Sequence, residues 1–248
     1  MRWPRVGPLL NGDVEPMPTF EPTEPILVLS THLDDAVLSC GHFLYRHPST
    51  TVATVLAGAP QVSHEGYNSR TTGQSYAPDA IRVRRDEDRE AMELLGATPV
   101  WLDLLDADYA AFRPTGDYGD LIQAEISRVL DVVRPVSVLA PLGLIHHDHL
   151  AVSDACLELA ATSRFTWYLY MDLPYALASR RALSRRLARL GRRVRLEEFD
   201  AFDGEPGMKQ KAMSLYASQY GVTRETFPDE FDATMVGPER YWRMTTAR

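Results

Sequence analysis

Residues 26–35 read ILVLSTHLDD, and this stretch decides the fold. Its first five residues form a short, almost continuous apolar run, which is typical of a strand buried on both faces of a parallel sheet. The polar turn THLDD (residues 31–35) follows, and an apolar segment of helical character comes directly after it. A buried strand that passes through a polar turn into a helix is the first unit expected of an open α/β sheet.

The same pattern recurs later in the chain. The apolar run VSVLA (residues 136–140) is soon followed by HHDH (residues 146–149) and then by a second helical segment. The carboxyl ends of parallel strands meet at one edge of the sheet, and ligands bind at that edge. We therefore expect the His and Asp side chains of the two turns to lie close together.

Strands and helices alternate along the rest of the chain, and this alternation predicts a Rossmann-like, mostly parallel α/β sheet with helices on both faces. Further strands are predicted at residues 51–57, 99–102 and 165–171, and helices at residues 36–44, 79–95, 121–133 and 150–162. Residues 58–78 and 103–120 are predicted loops, the first long enough to be a lid.

We expect residues 26–248 to form a single domain. Residues 1–25 contain several prolines and little periodicity, so they are expected to be an extended or disordered leader. Residues 180–195 carry eight arginines. Leucines at helical spacing predict a solvated amphipathic helix there, and a surface for anionic substrates is the alternative.

Composition excludes several classes of function. The 248 residues are 45% hydrophobic, which is enough for a sizeable core. The net charge of −8 argues against nucleic-acid binding. Cys40 and Cys156 form no CxxC pair, and no apolar run is long enough for a signal peptide or a membrane span. We expect a cytoplasmic protein.

The residue types in the first turn are those of a divalent metal site. His32 and Asp35 are three positions apart at a strand-to-helix turn, so both can reach one ion. Asp34 then points elsewhere and can accept a proton from water as a general base. The alternative is that Asp34 and Asp35 only cap the following helix.

The second turn can add the remaining groups. His149 would complete a His-Asp-His set, although His147 is an alternative third ligand. His146 would face the reacting carbonyl group, and Asp148 would hold a histidine ring in one tautomer. A polar turn without function is the alternative, but two such turns after two strands favour a metal-dependent hydrolase.

The two turns resemble the motifs His-Pro-Asp-Asp-Glu and His-x-Asp-His of the PIG-L (LmbE-like) zinc-dependent de-N-acetylases. That family removes the acetyl group from N-acetylglucosaminyl conjugates. RRDED with a later LG (residues 84–88 and 95–96) and KQKA with a later YASQ (residues 209–212 and 216–219) are similar to further family motifs. The resemblance runs from about residue 26 to residue 242.

The resemblance implies one Zn²⁺ per chain, held by His32, Asp35 and His149, although such sites also accept Fe²⁺, Co²⁺ or Ni²⁺. It further implies that Asp34 is the general base and that His146 faces the oxyanion. Leu144 is a departure from the family, because some members place an assisting tyrosine just before the second motif.

Five residues are candidates for substrate contact. Arg84 lies in the family's arginine motif, and a solvated helix arginine is its alternative. Arg70 and Tyr76 fall in the predicted lid. Asp172 and Tyr175 follow the strand at residues 165–171, where turn formation is the alternative for Asp172.

The sequence thus predicts a metal-dependent N-deacetylase of a small-molecule amino-sugar conjugate. One alternative is an amidase that removes a longer acyl group from glucosamine. Another is a non-catalytic nucleotide-binding α/β module, which the absence of a GxGxxG fingerprint disfavours.

Overall fold

The computed structural model describes residues 18–200, 202, 204–205 and 207–246. Within them a sheet of seven strands is surrounded by helices. The strands are β1 (Ile26–Ser30), β2 (Thr51–Thr54), β3 (Thr98–Trp101), β4 (Ser137–Pro141), β5 (Thr166–Tyr170), β6 (Val194–Glu198) and β7 (Tyr241–Thr246). The helices are α1 (Asp35–Arg46), α2 (Tyr67–Thr72), α3 (Ala77–Leu95), a 3-10 helix (Ala107–Phe112), α4 (Tyr118–Val133), α5 (His147–Thr162), α6 (Tyr175–Ala178), α7 (Arg180–Leu190), α8 (Met208–Ser214), α9 (Ala217–Thr226) and α10 (Phe231–Val236).

The strand order in the sheet is β3-β2-β1-β4-β5-β7-β6. The first five strands in this order run parallel to one another. β7 pairs antiparallel with both β5 and β6. The predicted fold class, a mostly parallel Rossmann-like sheet, is therefore confirmed.

β1 lies between β2 and β4, so the chain leaves β1 toward one side of the sheet and β4 toward the other. Leu27 of β1 faces Thr51 of β2 on one side and Val138 of β4 on the other. A crevice forms at such a reversal of strand order, at the carboxyl ends of the two strands. The turns at residues 31–35 and 142–149 meet at this crevice.

Side chains of the central strands alternate between two apolar cores. Leu27 and Leu29 belong to the core under α4 and α5, whereas Ile26 and Val28 belong to the core under α1, α3 and α8. Burial on both faces explains why β1 is apolar at nearly every position rather than at every second one. No helix within the described residues is long and apolar enough to cross a lipid bilayer.

Several element boundaries differ from the prediction. The segment at residues 58–78 contains α2 and the first two residues of α3, and α4 and α5 each begin three residues before their predicted starts. The arginine-rich segment at residues 180–195 is helical only as far as Leu190. From Val194 the chain forms β6, because pairing with β7 satisfies its backbone there.

A buried ion pair fastens α8 to α1. Lys209 and Glu239 are both fully buried, with 3.0 Å between Nζ and Oε1. Glu239 also accepts hydrogen bonds from the backbone N–H groups of His42 and Phe43 in α1. These partners satisfy a pair of charges whose burial would otherwise be costly.

Residues 1–17 of the predicted leader lie outside the described residues. The chain that follows packs on the domain, because Phe20 is buried in the core under α1. Its ring stacks on Tyr241 at a centroid distance of 3.9 Å and meets the edges of Tyr168 and Phe199. Apolar contacts of this kind add to the stability of the domain.

Replacing Phe20 by Ala should lower the free energy of unfolding by about 3–5 kcal/mol, because the substitution leaves a cavity among aromatic rings. Urea denaturation followed by circular dichroism would measure this change. Phe112→Ala is the matched control: 41% of that side chain is exposed, and the expected loss is about 1 kcal/mol or less. Equal losses in the two variants would show that Phe20 does not belong to the core.

Candidate metal centre and active-site pocket

Three side chains from the two turns converge at the carboxyl ends of β1 and β4. Asp35 Oδ2 lies 3.1 Å from His32 Nδ1 and 3.0 Å from His149 Nε2. One ligand atom from each residue lies within 4.8 Å of the other two. Two imidazoles and a carboxylate form a donor set that suits a divalent metal ion with open positions for substrate and water.

Each imidazole is held from behind by a carboxylate. His32 Nε2 lies 3.1 Å from Asp148 Oδ2, and His149 Nδ1 lies 2.7 Å from Asp172 Oδ1. Asp172 is fixed in turn by the backbone N–H of Gly143. A carboxylate on the outer nitrogen orients a histidine ring and makes its inner nitrogen a better metal ligand.

The surroundings of His149 favour a positive charge. If Nδ1–H donates to Asp172, the Nε2 lone pair faces Asp35 Oδ2, and Nε2 is buried without a hydrogen bond. Burial opposes a charged His149, but Asp35 and Asp172 outweigh it and raise the pKa of His149 to about 10. The site therefore favours positive charge between these groups, which a bound metal ion would also supply.

A second set of donors lies beside the first. His32, His146 and Asp148 also have ligand atoms within 4.8 Å of one another. Asp148 is already engaged, because it accepts hydrogen bonds from Ala107 N and Arg113 Nη2, both at 2.8 Å. The set around Asp35 is therefore the better candidate.

His147 is turned away from both sets. Its side chain is 69% exposed, and its ring stacks on that of His146 with 4.6 Å between centroids. His146 itself lines the pocket and meets the rings of His32 and His149 edge to face. Burial and the neighbouring His32 lower the pKa of His146 to about 4, so its ring favours the neutral form.

Asp34 faces the pocket from the N-cap position of α1. Its carboxylate makes no capping hydrogen bond, and its backbone φ of 119° lies where non-glycine residues are rare. Strain of this kind concentrates at functional sites. Burial and the adjacent Asp35 raise the pKa of Asp34 above its ordinary value. Asp35 does not cap the helix either, since Oδ2 accepts the backbone N–H of His32.

Arg84 links this turn to α2. It is buried, lies 3.9 Å from Asp34, and donates to Leu33 O and to Asn68 Oδ1. Asn68 donates to Asp106, which also lines the pocket. Arg84 therefore positions the first turn and one pocket wall together, and it is not the solvated helix arginine of the alternative interpretation.

The pocket above the metal-ligand set has a volume of about 470 Å³. Its floor is polar and acidic, and its far wall is formed by α9 with Tyr175. It is lined by His32, Asp34, Asp35, Leu38, Tyr67, Arg84, Asp106, Ala107, Asp108, His146, Asp148, Pro174, Tyr175, Gln219, Val222, Thr223, Thr226 and Phe227. Tyr67 Oη donates to Gln219 Oε1 at 2.8 Å, which joins α2 to α9 across the pocket.

Two of the five predicted substrate contacts line the pocket, and three do not. Arg84 and Tyr175 line the pocket, and the Tyr175 ring packs against His149 with 5.1 Å between centroids. Asp172 does not face the pocket, because it is fully buried behind His149. It bonds the ring of His149 there, and its contact with substrate stays a prediction.

The two predicted lid contacts also fail to reach the pocket. Arg70 is exposed on α2, and Tyr76 is 41% exposed, with its hydroxyl donating to Gln61. Neither residue lines the cavity. The reason is that α2 turns Tyr67 toward the pocket and Asn68 toward the interior.

The sequence interpretation missed three residues that shape the site, which are Tyr67, Asp106 and Arg113. Asp106 follows β3, a third strand of the same parallel set, so the strand-end argument applied to the first two turns would have found it. Arg113 donates a hydrogen bond to Asp148, which lies far from it in the sequence, so no local pattern signals that contact.

Comparisons with known proteins agree with this geometry. The PIG-L family model, described as GlcNAc-PI de-N-acetylase, matches residues 27–160. The comparison with curated protein sequences found no significant match.

Solved structures of deacetylases have the same fold. The A40926 pseudoaglycone deacetylase Dbv21 is 30% identical with a TM-score of 0.72, and 90% of this chain and 98% of that chain are covered. The zinc-inhibited form of teicoplanin deacetylase Orf2 is 25% identical with a TM-score of 0.75 and the same coverages, 90% and 98%.

A more distant structure shows the fold alone. GalB, the 4-carboxy-2-hydroxymuconate hydratase from Pseudomonas putida KT2440, is 15% identical with a TM-score of 0.51, and 90% of this chain and 96% of that chain are covered. The family match and the deacetylase structures confirm the resemblance stated from the two turns. This chain belongs to the PIG-L family and is a deacetylase, a hydrolase that acts on an amide bond.

Proposed function

We propose that this chain removes the N-acetyl group from an N-acetylglucosaminyl conjugate and releases acetate and a free amine. The observation that carries the proposal is the set of His32, Asp35 and His149 at the floor of a pocket, with Asp34 beside it. A metal-ligand set with a spare carboxylate is an arrangement by which metal-dependent enzymes hydrolyse amides with water.

We propose Zn²⁺ as the bound ion, one per chain, at His32, Asp35 and His149. The bound ion would polarise the acetamide carbonyl and lower the pKa of water. The donor set also accepts Fe²⁺, Co²⁺ or Ni²⁺. The zinc-inhibited form of teicoplanin deacetylase shows that zinc affects a member of this fold, so several metals need to be compared.

Three further side chains have separate roles in the proposed reaction. Asp34 accepts the proton of the attacking water, because it is the pocket carboxylate next to the ligand set that holds no histidine. The amine takes up a proton as the C–N bond breaks. His146 faces the developing oxyanion from the opposite turn. Asp148, held by Arg113, is a positioning residue that keeps the His32 ring in place.

The pocket surfaces indicate what the substrate carries besides the acetamide. The acidic floor and Arg84 suit the hydroxyl groups of an amino sugar, since carboxylates and guanidinium groups bond to hydroxyls. Val222 on α9 and Phe227 directly after it offer an apolar wall for an aglycone. The same wall would also fit a longer acyl chain, which keeps an amidase of N-acylglucosamine as the second candidate.

The remaining expectations on partners and compartment follow the same interpretation. We propose a small-molecule amino-sugar conjugate as the partner, with no nucleic acid. We also propose a cytoplasmic location, which is supported by the buried free thiols of Cys40 and Cys156.

The test of the function is acetate release from a panel of conjugates by protein loaded separately with each metal. The panel contains free N-acetylglucosamine, chitobiose, inositol-linked and malate-linked sugars, a glycopeptide core, and an analogue of each with a longer acyl chain. Release of acetate would support the proposal. Hydrolysis of the longer acyl analogues alone would favour the amidase instead.

Asp34→Asn should retain the metal and lower kcat by about 100- to 10,000-fold, because the amide cannot accept the proton of water. Metal analysis and steady-state kinetics on the preferred conjugate would check both parts. Full turnover in this variant would remove Asp34 from the role of base.

His149→Ala and Asp35→Ala should each lose the bound metal, because a three-ligand set holds an ion poorly after losing one ligand. His147→Ala is the matched control from the same turn and should keep one metal per chain. Elemental analysis of the dialysed proteins measures this directly. Metal loss in the His147 variant with full retention in the His149 variant would reverse the assignment.

Asp172→Asn should raise the dissociation constant of the metal by about 10- to 100-fold, because the charge behind the His149 ring is removed. Competition with a chelator would measure the constant, and the exposed Asp103→Asn should leave it unchanged. An unchanged metal affinity together with a raised KM would instead support the substrate contact that the sequence predicted.

A further inference from the structure

Strand β6 forms one edge of the sheet and carries a charge pattern that is complementary to itself. β6 is the last strand in the sheet order, and it pairs with β7, the strand before it. Residues 192–200 read RRVRLEEFD, so the basic residues precede the central Leu196 and the acidic residues follow it. If two copies of this segment run antiparallel, the acidic half of one lies against the basic half of the other.

The backbone of β6 has hydrogen-bonding groups that point outward. Phe199 N donates to Tyr241 O, toward β7, whereas Asp200 N donates outward to Pro18 O. Because these directions alternate along a strand, the groups of Leu196 and Glu198 also point outward. Within the described residues those outward groups have no hydrogen-bond partner. An edge of this kind is a template for a further strand.

Two side chains on this edge are exposed charges without an ion pair. Arg195 and Glu197 both point to solvent, and neither forms a salt bridge with another described residue. Charges of one sign along an edge would repel a second copy of the chain. Here the two signs alternate about Leu196, so a second copy in the antiparallel direction meets opposite charge.

We propose that two copies of this chain pair through β6, antiparallel, about a two-fold axis at Leu196. Arg195 of each copy then lies opposite Glu197 of the other. Leu196 lies opposite Leu196, and the outward backbone groups of the two strands meet each other. A contact of this kind is isologous, and it joins the two sheets into one. The proposal does not depend on the proposed function.

In this register the charges of Arg195 and Glu197 meet opposite charge, and in each neighbouring register one of these two residues meets its own copy. Outward groups can meet only if the register shifts by two residues at a time, since hydrogen-bonding directions alternate. If the axis moves by one residue toward the N-terminus, Arg195 faces Arg195. If it moves by one residue toward the C-terminus, Glu197 faces Glu197. Like charges directly opposite each other are destabilising.

A groove beside the strand adds apolar surface to the contact. It has a volume of about 520 Å³ and is lined in part by Leu187, Leu196 and Trp242. A five-residue strand alone buries less than the roughly 1,200–2,000 Å² of a stable interface. The axis at Leu196 brings the grooves of the two copies next to each other and extends the buried area.

The full-length chain should sediment as a dimer, and single charge reversals should weaken it. Arg195→Glu places two Glu–Glu pairs across the axis by symmetry, and Glu197→Arg places two Arg–Arg pairs there. Each variant should raise the dissociation constant by about 10- to 100-fold. Analytical ultracentrifugation would measure it, and an unchanged circular dichroism spectrum would show that each variant is folded.

Two further samples fix the register. The double variant Arg195→Glu/Glu197→Arg should dimerise like the wild type, because its pairs are again of opposite charge. A mixture of the two single variants should form a heterodimer, since each Glu of one then faces an Arg of the other. Rescue in both samples requires these residues to lie opposite each other.

Two results would overturn the proposal. One is a wild-type chain that stays monomeric at about 0.1 mM, well above the dissociation constant expected of a specific interface. The other is a dimer that neither single variant weakens, which would place the interface elsewhere.

Discussion

The parallel pairing of β1 with β4 is the constraint on which the rest of the site depends. Val28 lies level with Leu139, so the two strands end side by side and their turns face each other across the crevice. His32 and Asp35 come from the first turn and His149 from the second. Without this pairing of the strands, the three side chains would not lie within reach of one ion. The apolar contacts that bury β1 on both faces therefore also hold the metal-ligand set together.

Two further carboxylates fix the orientation of the histidine ligands at this centre. Asp148 comes from the β4 turn and Asp172 from the end of β5, the next strand in the sheet. Each bonds the outer nitrogen of one imidazole, so the ring cannot rotate and its inner nitrogen faces Asp35. The acidic surroundings favour a positive charge at the point where the inner atoms converge. The carboxylates thus orient the rings and also favour the binding of a cation between them.

Helix α3 organises the pocket walls around that centre. Arg84 holds α2 through Asn68, and one turn later Glu87 accepts hydrogen bonds from the backbone and hydroxyl of Ser218 at the start of α9. One rigid helix therefore sets the distance between the two walls. The Tyr67–Gln219 hydrogen bond then joins them across the opening. The arrangement places a polar floor and an apolar wall within one cavity.

The sequence alone determined the fold class, the family and the two turns, because a buried strand, a polar turn and a helix are local patterns. It also indicated that Asp148 holds a histidine, which the geometry shows to be His32. It did not reveal that Asp172 holds His149, that Arg113 holds Asp148, or that β6 follows α7 and pairs with β7. Those facts depend on contacts between residues far apart in the chain. Only the tertiary structure decided them, because a side chain's role depends on which neighbours packing brings to it.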